Sequence, residues 1–285
     1  MVMNFSELHP MFAAEVRGVD LTALSDPEEF AAIRAGMDEY ALLVFRNQQF
    51  NDQSQLEFAR ALDGELHTKT GISALTASRL GEEALADISN IDGDGKLLPH
   101  DDRRRQYGLA NRLWHTDASF EDPRGRYSML STRVLPEHSP NTEYADMRAA
   151  YDALPVDRCS ELESLRVHHS IAYSRQTLGF EFSAEEADKL AGAIQPLVLR
   201  NPATHRAALY IAAHCSRIID WPVPDGRLLL RELMEHATQP QFVYSHAWLP
   251  GDMVIYDNRA TMHRALPFAD TTERRELRRV TTLDV

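Results

Sequence analysis

A two-residue spacing with one distant partner constrains this chain more than any other feature. His115 and Asp117 stand in Trp114-His115-Thr116-Asp117, and His263 ends the run Asp257-Asn258-Arg259-Ala260-Thr261-Met262-His263. On an extended strand residues i and i+2 project to the same face, so His115 and Asp117 can grip one ion together. His263 must then arrive on a second strand, which demands a fold whose late strands return to the middle of the chain. Two histidines and one carboxylate occupy one face of an octahedral metal and leave the other positions open. That arrangement suits non-haem Fe(II) handling O2 and a co-substrate. A His-x-Asp alone is weak, because with 12 histidines in the chain a hydrogen-bonded His–Asp pair is an ordinary alternative. Trp114 and Phe120 flanking the pair, and a turn-strand-turn pattern from Gly251 to Arg259, favour the metal.

Arg274-Arg275 and Arg278-Arg279 follow His263 on what reads as the last major strand. Arg275 and Arg279 share one strand face; Arg274 and Arg278 share the other. A guanidinium binds a carboxylate through two parallel hydrogen bonds. One such arginine near the metal would hold the far carboxylate of a dicarboxylate, and a second would hold the acid group of a substrate. The bland alternative is a basic strand edge that blocks aggregation.

Periodicity supplies the frame. Asp26 is a helix N-cap with Pro27 at the first helical position, and Phe30, Ile33, Met37 and Tyr40 recur at helical spacing. Ala41–Phe45 reads as a buried strand, and a second helix starts at Asn51 or Asp52 and ends near Gly64. Strands are expected at 127–134, 167–173, 196–200, 207–212, 241–247, 253–256 and 277–283. Helices are expected at 146–154, from Ser183 with Glu186 completing a capping box, and at 225–237. Many short strands with Gly and Pro turns suggest a mainly β antiparallel sandwich or barrel with helical decoration. The polar stretch of about 65–108 reads as an active-site lid, with a disordered surface loop as its alternative.

The net charge of −13, from 30 basic and 43 acidic side chains, argues against a general nucleic-acid binder. A local arginine cluster can still hold a small anionic organic substrate. Cys159 and Cys215 form no metal-ligand spacing and no disulfide scaffold, so a reduced cytoplasm is the expected setting. No secretory signal and no membrane-length apolar run is visible. One domain over residues 1–285 is expected, and the composition permits a homo-oligomer. Gly93-Asp94-Gly95-Lys96 lacks the spacing of a phosphate loop, and the Gly-x-Gly-x-x-Gly, His-Glu-x-x-His and Gly-x-Ser-x-Gly patterns are missing.

The chain resembles the taurine/2,4-dichlorophenoxyacetate dioxygenases, which depend on Fe(II) and 2-oxoglutarate. The likeness runs through Leu42-Leu43-Val44-Phe45-Arg46, Asn111 to Asp117, Asn141-Thr142-Glu143, Trp248 to Asp252, Tyr256 to Arg259 and Arg274 to Arg279. It implies a double-stranded β-helix, or jelly roll, with iron held by His115, Asp117 and His263. It also implies Thr142 and Arg275 on 2-oxoglutarate and Arg279 on the anionic group of the primary substrate. Asn111, Lys69, His214 and Arg217 are further substrate-site candidates. Ala86 to Asn90, Tyr127 to Ser131, Asp146 to Pro155 and Arg274 to Asp284 look closest to the 2,4-dichlorophenoxyacetate branch. Arg217 stands where that branch has a pocket histidine, and Tyr256 where many members have tryptophan. The expected reaction uses Fe(II), 2-oxoglutarate and O2 to hydroxylate a carbon next to an ether oxygen in an aryloxyalkanoate, yielding a phenol and glyoxylate. A sulfonate or another small carboxylic acid is the alternative substrate. A zinc hydrolase with the same ligands, or a ligand-binding jelly roll without catalysis, are rival classes.

Overall fold

Alternation of side chains along four central strands organises the molecule. The computed structural model describes residues 3–68 and 79–285. Among them, β1 (Asn4–Glu7), β2 (Ala14–Arg17), β3 (Leu42–Phe45), β4 (Ala86–Ser89), β5 (Gly125–Val134), β13 (Met253–Asp257) and β15 (Glu276–Leu283) form one sheet. Its spatial order is β1-β2-β3-β13-β5-β15-β4. A second sheet sets β6 (Thr142–Asp146) between β12 (Val243–His246) and β14 (Thr261–Ala265). β7 (Arg166–His169) pairs with β8 (Ala193–Pro196) and β11 (Cys215–Ile218), and β9 (Val198–Arg200) pairs with β10 (Ala207–Leu209). Apart from the parallel β2–β3 pair, these ladders are antiparallel. The late strands return as the triad required: β13 inserts between β3 and β5, β15 lies on β5, and β14 lies on β6. The protein is mainly β with helices.

The period-2 rule sorts the core. On β13, Met253 and Ile255 pack with Ile33, Met37, Leu56 and Leu62 of the helices Pro27–Tyr40 and Asp52–Asp63. Val254 and Tyr256 point the other way, packing with Tyr144 of β6 between the two sheets. β3 splits likewise, Leu43 and Phe45 toward the helices and Leu42 and Val44 inward. Each such buried aliphatic side chain contributes roughly 1.5–3 kcal/mol. The helices start where their caps place them. Asp26 accepts from the Glu28 N–H, and Asn51 and Ser54 form a reciprocal capping box.

The segment at 167–173 differs from expectation. β7 stops at His169, and Ser170 caps a helix, Ile171–Gln176, by accepting from the Tyr173 N–H at 3.2 Å. The cap turns a β-rich composition into helix and carries Ser174 and Arg175 inward. The run at 196–200 divides into β8 and β9, and Pro240–Phe242 forms a 3-10 turn before β12. The stretch at 65–108 holds more regular structure than its composition suggests. Leu66 bridges Thr282, β4 forms a sheet edge, and Arg103–Gly108 is helical. Lys69 lies outside the described residues.

Candidate metal centre and its cavity

His115, Asp117 and His263 are all buried, and their ligand atoms lie within 4.8 Å of one another. His263 comes from β14. His115 joins it through a two-residue antiparallel bridge: the His115 N–H donates to His263 O at 2.9 Å, and the reverse bond is 2.8 Å. The strand premise for Asp117 is corrected. Asp117 opens a turn over residues 117–120, and Ala118 adopts a left-handed φ of 53°. Gly125 makes that turn feasible. A Cβ there would lie 2.9 Å from Asp117 O and 2.9 Å from Thr281 Cγ2.

The first sheet presents a row of polar groups to Asp117. Tyr256 on β13, Ser128 on β5 and Thr281 on β15 are cross-strand neighbours. Tyr256 and Ser128 hydroxyls each donate to Asp117 Oδ2 at 2.8 Å, and Arg279 pairs with Oδ1. Ser128 spends its proton on Asp117, so Thr281 donates to Ser128 across 2.9 Å. Asn258 Oδ1 accepts the Asp117 N–H at 3.0 Å, and Asn258 Nδ2 donates to Ser128. Burial alone would raise the carboxyl's pKa; Arg279, followed by His263 and His115, outweighs it and holds Asp117 well below the usual carboxylate range. Burial pulls His115 down to about 4 and His263 far below its ordinary value, so both imidazoles are neutral at pH 7. His115 Nδ1–H donates to Leu113 O at 2.7 Å, which leaves the Nε2 lone pair for a metal. His263 Nε2 is 3.7 Å from Asp117 Oδ2. An ionised carboxylate and two neutral imidazoles, with no thiolate, fit the facial donor set of non-haem Fe(II).

A cavity of about 340 Å³ opens on His115 and Asp117 of the triad. Arg275 lines it, 6% exposed; its backbone N–H donates to Asn90 Oδ1, and its buried Nε has no partner among the described residues. Burial, only partly offset by Tyr144, pulls this guanidinium down to about 10. The strand parity holds: Arg274 pairs with Glu276, and Arg278 sits in a network with Asp87 and Glu276. Asn111 and His214 line the cavity, as does Arg279. Thr142 is buried beside the cavity rather than on its wall. Its Oγ accepts the Trp248 indole N–H at 2.9 Å, and its cross-strand partner Ala265 reaches the wall. Arg217 is corrected: it is exposed on β11, facing away from the cavity, because strand parity buries Ser216 and Ile218 instead.

Sequence reasoning missed Arg175, Tyr107 and Phe268 on the cavity wall, and the Ser128–Tyr256–Asn258 support of Asp117. A lone Arg or Ser carries no periodic signal; the Ser170 cap was the one clue that residues 171–176 form a helix.

A neutral-imidazole and carboxylate triad beside a buried guanidinium with no carboxylate partner among the described residues defines a mononuclear non-haem metal oxygenase with a site for an acidic co-substrate. The family described as taurine catabolism dioxygenase TauD, TfdA family, matches residues 4–281, and the chain belongs to it. It is an Fe(II)- and 2-oxoglutarate-dependent dioxygenase that uses O2. Its relatives include an alpha-ketoglutarate-dependent 2,4-dichlorophenoxyacetate dioxygenase of Burkholderia sp. (strain RASC). That protein is 44% identical over 99% of this chain and 95% of its own length. An (S)-phenoxypropionate/alpha-ketoglutarate-dioxygenase of Sphingobium herbicidovorans is 33% identical over 95% of this chain and 92% of its own. The crystal structure of AAD-2 with Mn(II) and N-oxalylglycine superimposes with a TM-score of 0.90 at 40% identity, covering 99% of this chain and 97% of that one.

Proposed function

We propose that this chain hydroxylates the carbon beside the ether oxygen of a small aryloxyacetate. The resulting hemiacetal collapses to a phenol and glyoxylate. The observation that carries this reading is the cavity: one space joins His115 and Asp117 of the triad, an Arg275 without a carboxylate partner among the described residues, and apolar walls at Phe120, Ile171 and Phe268. The 2,4-dichlorophenoxyacetate dioxygenase relative supports the substrate class.

In this reading His115, Asp117 and His263 hold Fe(II), which with 2-oxoglutarate and O2 supplies the oxidising power for C–H hydroxylation. Arg275 binds the distal carboxylate of 2-oxoglutarate, and Thr142, its oxygen already accepting from Trp248, has its own proton to give to a carboxylate. Arg279 orients Asp117 and keeps its Nε–H for a second anion. Asn111 and His214 contact the primary substrate, and Lys69 and the stretch of about 65–108 complete a lid. We read the two facing sheets as a double-stranded β-helix forming a single domain over 1–285. No helix among the described residues is long and apolar enough to cross a membrane. We place the protein in the cytoplasm.

The test is a panel of aryloxyacetates, aryloxypropionates, sulfonates and short carboxylic acids, with succinate, phenol and glyoxylate measured together. One glyoxylate per succinate from an aryloxyacetate is the expected result. Succinate release with every acid except the aryloxyacetates overturns the substrate; product without 2-oxoglutarate or O2 would favour the zinc hydrolase.

A further inference from the structure

We propose that Arg175 anchors the carboxylate of the primary substrate and selects acids over neutral molecules. This rests on the reading of the cavity as the site of a two-acid dioxygenase. The cavity needs two cations for two acids, and its arginines can be sorted by what already neutralises them. Arg79 pairs with Asp87 and Glu276, Arg104 with Asp102, Arg105 and Arg112 with Asp270, and Arg279 with Asp117. Two remain without a carboxylate partner among the described residues: Arg275 and Arg175. Residues 69–78 contain no Asp or Glu that could supply one. With Arg275 assigned to 2-oxoglutarate and the charge of Arg279 balanced by Asp117, Arg175 is the uncompensated cation left among the described residues for the substrate's carboxylate, which the Nε–H of Arg279 can meet as well.

Its surroundings fit that role. Arg175 is 5% exposed, lines the cavity, and has a buried Nε without a partner among the described residues. A buried cation without an anion is costly, and a fold keeps one where a ligand completes it. Its guanidinium carbon lies 4.6 Å from the centre of the Tyr107 ring, and Nη1 donates to Ser174 Oγ at 2.9 Å. These contacts orient the fork without neutralising it. Ser174 gives its own proton to Ile171 O, so it also accepts from His214 Nδ1 at 3.0 Å. His214 in turn stands edge-on to His115, ring centres 6.0 Å apart, so Arg175 is tied to the metal centre through one serine and one imidazole. Ile171, one helical turn before Arg175, also lines the cavity, so the helix offers an aryl acid both an apolar contact and a charge.

The experiment measures binding without turnover. Protein loaded with Mn(II) and N-oxalylglycine is titrated with 2,4-dichlorophenoxyacetate and with its neutral amide, in wild type, Arg175→Gln and Arg175→Lys. We expect Arg175→Gln to weaken the acid by at least about thirtyfold, the lower end for losing a buried charge pair, and to leave the amide within about threefold. Arg175→Lys should recover part of the acid preference. N-oxalylglycine affinity should stay within about twofold in both variants. The thermal midpoint of ligand-free Arg175→Gln should equal or exceed that of wild type, whereas an arginine that only braced the fold would lower it. Parallel weakening of acid and amide, or an acid affinity unchanged in Arg175→Gln, overturns the proposal. If wild type prefers another acid of the panel, the substrate reading fails, and the same comparison with that acid and its amide still decides Arg175. If wild type binds no acid better than its amide, Arg175 is not a carboxylate anchor.

Discussion

Asp117 is at once a metal ligand and the counter-ion of the half-buried Arg279, so its loss has two separable consequences. Asp117→Ala removes one of only three protein ligands and should abolish Fe(II) binding in an anaerobic titration. It also strands the half-buried Arg279, whose isolation should cost about 1–3 kcal/mol in a denaturant melt. His115→Ala should abolish Fe(II) binding without that second cost, because its outward nitrogen serves only Leu113 O. Asp117→Glu keeps the charge but moves the oxygen by one methylene, and should retain weak metal binding. If both Ala variants bind Fe(II) as tightly as wild type, the triad is wrong. Arg275→Gln removes a partner of 2-oxoglutarate worth on the order of 2–5 kcal/mol when buried, so its apparent affinity should fall by more than tenfold. Arg274→Gln, whose side chain pairs with Glu276 and is half exposed, should leave that affinity unchanged. The reverse pattern would move the role by one residue.

At the scale of elements, the site depends on how a turn rests on a strand. The Asp117–Ala118 turn sits directly over Gly125, the first residue of β5, with no room for a side chain. Gly125→Ala must push the Asp117 carbonyl or the Thr281 methyl aside. We expect a loss of about 1–3 kcal/mol in stability, typical of overpacking. Fe(II) affinity should fall with it, since the shifted turn carries a ligand. A variant with wild-type stability and metal affinity would show that the turn is free to move. A second hinge of this kind is Asp270, which accepts from both Arg105 and Arg112 and so ties the helix Arg103–Gly108 to the chain leading into β15.

Across the whole molecule, buried neutral histidines set the response to acid. Burial pulls His169 down to about 3 and His67 to about 4, from an ordinary value near 6.5. A folded-state pKa below the unfolded one means that the unfolded chain binds more protons between the two values. The stability these groups contribute is therefore fully present above about pH 6.5 and is lost as pH falls toward 4 and, for His169, toward 3. The slope is at most about 1.4 kcal/mol per pH unit for each histidine. Chemical denaturation at pH 7.5, 6 and 5 checks this: stability should drop between 7.5 and 5, and His169→Gln should flatten the drop. A flat profile over that range would mean that these rings are hydrated in the folded state.

The sequence by itself determined the triad, the strand face shared by Arg275 and Arg279, the cap-marked helices and the mainly β class. Each of these is a local signal of spacing, period or cap chemistry that needs no knowledge of distant contacts. Tertiary structure alone decided the rest. Asp117 reaches the site through a turn over Gly125 rather than along a strand, because the Cβ-less surface beneath it belongs to another segment. Arg217 faces solvent because β11 pairs with β7 in a register that no local pattern reveals. Arg175 is a buried cation without a carboxylate partner among the described residues: on the cavity wall Asp87, Asp117 and Asp270 each pair with another arginine, and Glu83 is exposed. Charge pairing of that kind is a property of the assembled interior, where partners come from residues more than a hundred positions apart, and only the folded chain assigns them.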